Sequence, residues 1–520
     1  MKLLRSTFVI GGLTAISRVL GFVREMLLAA ALGTGPVANA FVIAFRFPNL
    51  FRRFFAEGAF NSAYIPLYAR TLEGDGADAA RTFVRDTLSV MIVVLAVLTV
   101  AAQVFMPAIM RLIAPGFLDD PGLFEMAVVF TQITMPYLML VSLTAMMGGT
   151  LNAHDRFALS AAAPIALNVI MVAVLLLAPD DPATTGLWIT IAVPVSGLVQ
   201  AGLLYWGCRR AGIKLTLRLP RLTPKVRRLI VLGVPGAIAG GVTQINIVIS
   251  QLIATFQDGA VALLYYADRL YQLPLGVIGI AMGVALLPTL SKRLRGGDEA
   301  GAADTLNRAI EISLALTLPA TAALLAMPGL LVEGLFQRGA FTEADAVATR
   351  LAVQVFAVGL PAFVLIKVFS PGFFAREDTA TPMRFAAVSM VLNITIGAAL
   401  FFWIREFAPD RGHVGLAAAT SLAGWVNAGL LGFFLARRGG FAPDRRLLSA
   451  LPRLLLAAAM AGGAMAGIEI LRAEIIPWAL DSRLLAAVIG TGIGSLVYAV
   501  AALLVRGVRI SELRSAFSRG

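Results

Sequence analysis

Two long apolar runs near the start of the chain carry charges where an apolar helix should have none. Between Phe8 and Leu32 stand Ser17, Arg18, Arg24 and Glu25. Between Ala38 and Asn61 stand Asn39, Arg46, Asn49, Arg52 and Arg53. Placed on a helix, Thr14, Ser17, Arg18, Gly21, Arg24 and Glu25 recur at three- and four-residue steps and fall on one side. Asn39, Arg46 and Arg53 recur at heptad spacing and share a face that includes Asn49. A third cluster lies further on, where Asp268, Arg269 and Gln272 occupy adjoining positions of one helix face behind Tyr265 and Tyr266. The chemistry these residues suit is electrostatic rather than covalent. Arginines outnumber the acids Glu25 and Asp268, and guanidinium forks match phosphate oxygens in pairs, so a cavity that gathers them selects an anion. An arginine at the centre of a membrane helix costs ~2.5–3.5 kcal/mol on insertion scales, so such residues face a bundle interior or a water-filled path. Two simpler readings stay open: Arg52 and Arg53 snorkel at a membrane edge, and Asp268 with Arg269 forms a structural pair.

Covalent chemistry has no foothold. The chain contains no GxxxxGK[ST] and no HExxH, its histidines are His154 and His413 alone, and Cys208 is its single cysteine. No metal site, intrachain disulfide or cofactor is expected. The acidic pairs Asp119–Asp120 and Asp180–Asp181 read as solvated loop residues.

The elements that must hold the arginines are membrane helices. Of 520 residues 59% are hydrophobic and 14% charged, which places the chain among all-α polytopic membrane proteins. About fourteen spans are expected. The first two are the arginine-bearing runs, separated by a turn at Thr34–Pro36, and the last two lie near Leu451–Leu471 and Leu484–Val505. The basic, apolar N-terminus imitates a signal peptide but continues into the first arginine-bearing helix, so it reads as uncleaved. The net charge of +13 gathers in alternate loops, as the positive-inside rule requires, and calls for no nucleic acid. That bias puts both termini in the cytoplasm. It also lays the basic stretch Arg209–Arg228 on the anionic inner leaflet.

The chain also reads as two related halves. Ile65-Pro66-Leu67 opens an order of landmarks that Leu287-Pro288-Thr289 opens again. Phe117 in a loop, the HDRFAL segment and Asn168 are answered by Phe341, FFAREDTATP and Asn393. Six spans per copy is an even number, so the copies run in the same direction and the repeat is parallel. The expected organisation is a six-helix lobe over residues 1–208, a basic linker over 209–228, a second six-helix lobe over 229–437, and two further helices with a tail over 438–520. In the second lobe Pro235, Gly236, Gly240 and Gly241 invite a bend or break.

Four segments carry a family resemblance: SRVLGFVRE (Ser17–Glu25), AFRFPNLFRRFFAEGAFNSAYIP (Ala44–Pro66), YYADRLYQLPLGVIGIAMGVALLPTLS (Tyr265–Ser291) and SPGFFAREDTATP (Ser370–Pro382). In this order they resemble the MurJ/MviN lipid II flippases, over essentially the whole chain. The resemblance implies a transporter of the multidrug/oligosaccharidyl-lipid/polysaccharide superfamily in the bacterial inner membrane. Two lobes would enclose a cationic cavity, and the last two helices would form an apolar groove for a polyprenyl tail. The cargo would be lipid II, the polyprenyl-diphosphate-linked peptidoglycan precursor. The implied substrate-binding residues are Arg18, Arg24, Arg53, Asp268 and Arg269, with Ser17 and Asn49 in the same motifs. Asn39 and Gln272 join them as amides where many similar proteins have acids, which puts carboxylate-based ion coupling there in doubt. Glu25 stands for a more usual aspartate. Implied partners are lipid II, membrane lipids, and cell-wall synthesis and division proteins. The competing readings are a flippase for another polyprenyl-linked oligosaccharide, a drug exporter, a scaffold for cell-wall enzymes and a membrane-embedded transferase. An exporter of cations needs an acidic cavity, a scaffold has no use for mid-span arginines, and a transferase needs a cluster of acids or histidines.

Overall fold

The structure is a computed structural model that describes residues 2–52 and 59–507. Of the helical positions 2–8, 51–52, 59, 62, 234–243, 280–281 and 283–285 it describes the backbone alone. The described chain is helical throughout, and ten of its helices are long and apolar enough to cross a membrane. It divides into two units, Met1–Ala262 and Leu263–Gly520.

In the first unit the helices are α1 (Lys2–Leu32), α2 (Pro36–Arg52), α3 (Ala59–Gly74), α4 (Ala77–Ile113), α5 (Pro121–Thr134), α6 (Pro136–Asn152), α7 (Phe157–Leu177), α8 (Pro182–Arg210) and α9 (Pro224–Ala254). The turn between α1 and α2 falls where Gly33 supplies a positive φ of 57° and Pro36 opens the next helix. Asp120 and Asp181 do more than solvate their loops. Each is an N-cap whose carboxylate accepts backbone N–H bonds, ahead of a proline at the first helical position. α1 packs on α7, α2 on α5, and α6, α7 and α8 on one another. Small residues permit the close approaches: a Cβ on Gly186 would fall 2.2 Å from Val37, and one on Gly197 would fall 2.8 Å from Tyr137. α9 stays helical through Pro235–Gly241, so of the bend or break expected there the break does not occur; the helix lies against α3 and α4.

α10 (Ala260–Arg295) begins at the end of the first unit and continues in the second. There follow α11 (Glu299–Ala326), α12 (Pro328–Phe336), α13 (Glu343–Phe374), α14 (Ala380–Phe407), α15 (Gly412–Arg437), α16 (Arg445–Ile470), α17 (Arg472–Trp478) and α18 (Arg483–Leu504). α13, α14 and α15 pack tightly, and Gly359 and Gly415 leave no room for a Cβ against Ser421 and Leu400. α16 is tied to α11 by a polar network. Arg308 pairs with Glu311 and Asp444, and Arg446 pairs with Glu311 at 3.1 Å.

Local structure repeats about 222 residues apart. The Gln132 amide donates to the Gln103 carbonyl at 2.9 Å, and the Gln354 amide donates to the Leu325 carbonyl at 3.1 Å. After α6 the chain turns through Asp155 at φ 58°, with the Arg156 N–H donating to Leu151; after α13 it turns through Glu377 at φ 61°, with the Asp378 N–H donating to Phe373. A positive φ is costly for a residue with a Cβ, so its recurrence at matching positions marks one turn used twice.

Candidate functional site

α1 presents Ser17, Gly21 and Arg24 to α7, and the residue that meets all three is Asn168. Its Nδ2 donates to the Ser17 carbonyl at 2.8 Å, and its Oδ1 accepts from Arg24 at 2.9 Å. Arg24 also pairs with Glu25 and lies 5.4 Å from the centroid of the Phe45 ring. Arg24 is 8% exposed, Glu25 3% and Asn168 6%, so the group is a desolvated polar node inside an apolar helix pair. A buried charge is tolerable only when paired and hydrogen-bonded, and that condition is met here. Arg18 differs. It is exposed and forms no ion pair among the described residues.

On α2, Asn49 donates to the Phe45 carbonyl one turn back at 2.7 Å, and Arg46 is half-buried. Heptad spacing put Asn39 on the face of Arg46. The structure shows instead a side chain 3% exposed and engaged with backbone. Its Nδ2 donates to the Thr34 and Gly35 carbonyls, both at 2.8 Å, and its Oδ1 accepts from the Ala262 N–H at 3.0 Å. Ala262 lies in the first turn of α10, whose leading N–H groups have no partner within the helix, so Asn39 caps that helix from α2. Arg53 lies outside the described residues.

In the second unit Asp268 accepts from Gln272 one turn on, and Arg269 sits over the Tyr265 ring at 4.5 Å. Asp268 is thus bonded along its own helix face to Gln272. Tyr265 and Tyr266 are buried and meet edge to face, and Tyr266 packs on Phe336 and Phe341, so the ring beneath Arg269 rests on an aromatic cluster. Lys367 on α13 is exposed, and its stem passes Gly279 of α10. Asn168 appears in the sequence only as a landmark of the repeat. Its partners are 144 and 151 positions away, and no periodicity connects α1 with α7. The family segment SPGFFAREDTATP proves structural: Asp378 accepts from the Thr381 N–H and hydroxyl at 2.9 and 2.6 Å and pairs with Arg438, while Arg376 pairs with Glu299 at 2.6 Å.

Ten apolar helices of spanning length, packed with α1, α2 and α10 whose faces carry the arginines and amides, mark a polytopic membrane transporter. The chain matches the family model described as lipid II flippase MurJ over residues 28–487. It is 49% identical over 469 residues to a probable lipid II flippase MurJ of Rhizobium meliloti (strain 1021), covering 89% of this chain and 86% of the relative. A solved lipid II flippase MurJ in an inward closed conformation superposes with a TM-score of 0.78 at 22% identity, covering 96% of this chain and 99% of that one. An inward-facing multidrug resistance MATE family transporter of the MOP superfamily superposes with a TM-score of 0.70 at 13% identity, covering 83% and 98%. The last two likenesses are of fold. This chain belongs to the lipid II flippase MurJ family.

Proposed function

We propose that this protein moves lipid II from the inner to the outer leaflet of the bacterial cytoplasmic membrane by alternating access, with no covalent step. Arg18 and Arg24 of the first unit are the cationic contacts for the diphosphate. The observation that carries this reading is the exposed Arg18 guanidinium partway along α1, about 1.7 turns before the paired Arg24. A diphosphate offers such a group the bidentate partner that the described protein does not. On the same reading α16 and α18 carry the polyprenyl tail. Leu455, Leu456 and Met460 on α16 and Val488, Leu496 and Val500 on α18 are all exposed, which suits an acyl surface. The loop at Asp258 is assigned to the outside and the loop at Arg218 to the cytoplasm, from the placement of basic residues.

Depleting the protein in its host and measuring which leaflet holds lipid II tests the reading, with complementation by Arg18→Ala as the arm specific to the site. Lipid II should accumulate in the inner leaflet, and Arg18→Ala should fail to clear it. An unchanged distribution on depletion overturns the activity, and full clearance by Arg18→Ala overturns the site. In a Cys208-free background, a cysteine at position 258 but not at position 218 should label from outside intact cells.

A further inference from the structure

We infer that Asn168 is the positioning residue for Arg24, an inference that rests on Arg24 meeting the diphosphate of the cargo. The amide is oriented by its own bonds. The Ser17 carbonyl only accepts, so the side-chain nitrogen must face it at 2.8 Å; the guanidinium only donates, so the oxygen must face Arg24 at 2.9 Å. Each bond fixes the other, and α7 thereby dictates where the Arg24 guanidinium points. Gly21 shapes the approach, since a Cβ there would stand 3.5 Å from the amide nitrogen, in ordinary contact. A larger side chain at that position would push the amide away.

The residue type matters as much as the geometry. Glu25 already pairs with Arg24 and cancels its charge. An anionic cargo must compete with that carboxylate for the guanidinium. A neutral acceptor on the other side holds the guanidinium in place throughout the exchange without adding negative charge. A carboxylate at position 168 would still accept from Arg24, but it would lose the bond to the Ser17 carbonyl and would repel the cargo. Within this buried node the Asn168 amide is bonded at both its nitrogen and its oxygen, which favours one arrangement of the charged group.

A double-mutant cycle on lipid II affinity tests this, because residues that act through one another do not add. The affinity of the purified full-length protein for lipid II is measured for wild type, Asn168→Leu, Arg24→Ala and the double variant, with Arg18→Ala and Arg18→Ala/Asn168→Leu as a second pair. Asn168→Leu alone should weaken binding about tenfold, the scale of a charge-assisted hydrogen bond. In the Arg24→Ala background it should cost less than twofold, and in the Arg18→Ala background it should again cost about tenfold. A full tenfold loss on top of Arg24→Ala would mean that Asn168 acts independently of Arg24, as a mere tie between α1 and α7, and would overturn the inference. So would wild-type affinity in Asn168→Leu. If Arg24→Ala itself binds lipid II as wild type does, it is the cargo role of Arg24 that fails. Should Asn168→Leu not accumulate, Asn168→Ala removes the same two bonds without added bulk and carries the same cycle.

Discussion

The Arg24 guanidinium and the Asn168 amide oxygen lie 2.9 Å apart across α1 and α7, both buried. The bond separates two arginines that look alike in sequence. Arg18 is exposed, whereas Arg24 is part of the packing and holds Glu25.

The two should therefore fail differently. Arg24→Ala leaves Glu25 in an apolar helix pair without its guanidinium, and removing one member of a buried pair costs about 3–5 kcal/mol. We expect lower protein levels and a lower Tm as well as lost flipping. Arg18→Ala removes no ion pair among the described residues, so its Tm should match wild type while lipid II affinity falls about tenfold, from the loss of ~1.5–3 kcal/mol in charge-assisted contact. Thermal melting in detergent beside a binding assay separates the two. Equal Tm values for both variants would show that the Arg24 node does not contribute to folding.

Much of the fold was legible because membrane helices announce themselves by length and composition. The turn at Thr34–Pro36 is local and carries its signature in Pro36, whereas the caps at Asp120 and Asp181 read only as solvated loop residues. The site was legible only where it depends on residue type. Mid-helix arginines stand out in any apolar run, but their partners come from distant segments, so Asn168 read as a landmark and Asn39 as a cavity residue. Helical periodicity gives the face of a residue on its own helix. It does not tell whether that face meets a cavity or the first turn of another helix, and Asn39 meets the latter.

For Asn39 the expectation follows from its three backbone bonds. Asn39→Leu leaves the Ala262 N–H buried without an acceptor, at a cost of about 1–3 kcal/mol. Asn39→Asp keeps that acceptor and places negative charge at a helix N-terminus, which is favourable, while losing the two donated bonds. The order of Tm should be wild type, then Asn39→Asp, then Asn39→Leu. A leucine variant as stable as wild type would show that the α10 cap is dispensable.

Gly116 offers a steric test in the same unit. Its N–H donates to the Thr255 hydroxyl at 3.1 Å, and a Cβ would fall 2.3 Å from the Thr255 carbonyl oxygen. The obstacle is backbone, which cannot rotate away as a side chain would. Gly116→Ala should therefore push the α9–α10 turn off the loop at Gly116, at about the 1–3 kcal/mol typical of overpacking. A cysteine at position 255 should react faster with a polar thiol reagent in the Gly116→Ala background than without it. Equal rates would mean that the loop yields without parting from the turn.

The turn after α13 makes a prediction in pH. Hydrogen bonds from the Thr381 hydroxyl and backbone N–H, with Arg438 adding its charge, hold the Asp378 carboxyl at about 2, below its ordinary 3.8. A carboxylate depressed in the folded state stabilises that state fully above its unfolded pKa and loses the contribution as pH falls through the folded value. The window is thus about pH 4 down to about pH 2. Asp378→Asn should lower Tm at neutral pH by a few degrees, since it removes the charge-assisted bond to Arg438 and weakens those from Thr381. The gap between wild type and variant should stay constant from pH 8 to pH 5 and then close as wild-type Asp378 is protonated. The asparagine cannot titrate, so it serves as its own control for the acid loss of every other carboxylate. Melting curves of both proteins across that range decide the matter. A gap that persists undiminished at the acid end would mean that Asp378 holds the turn by its shape and not by its charge.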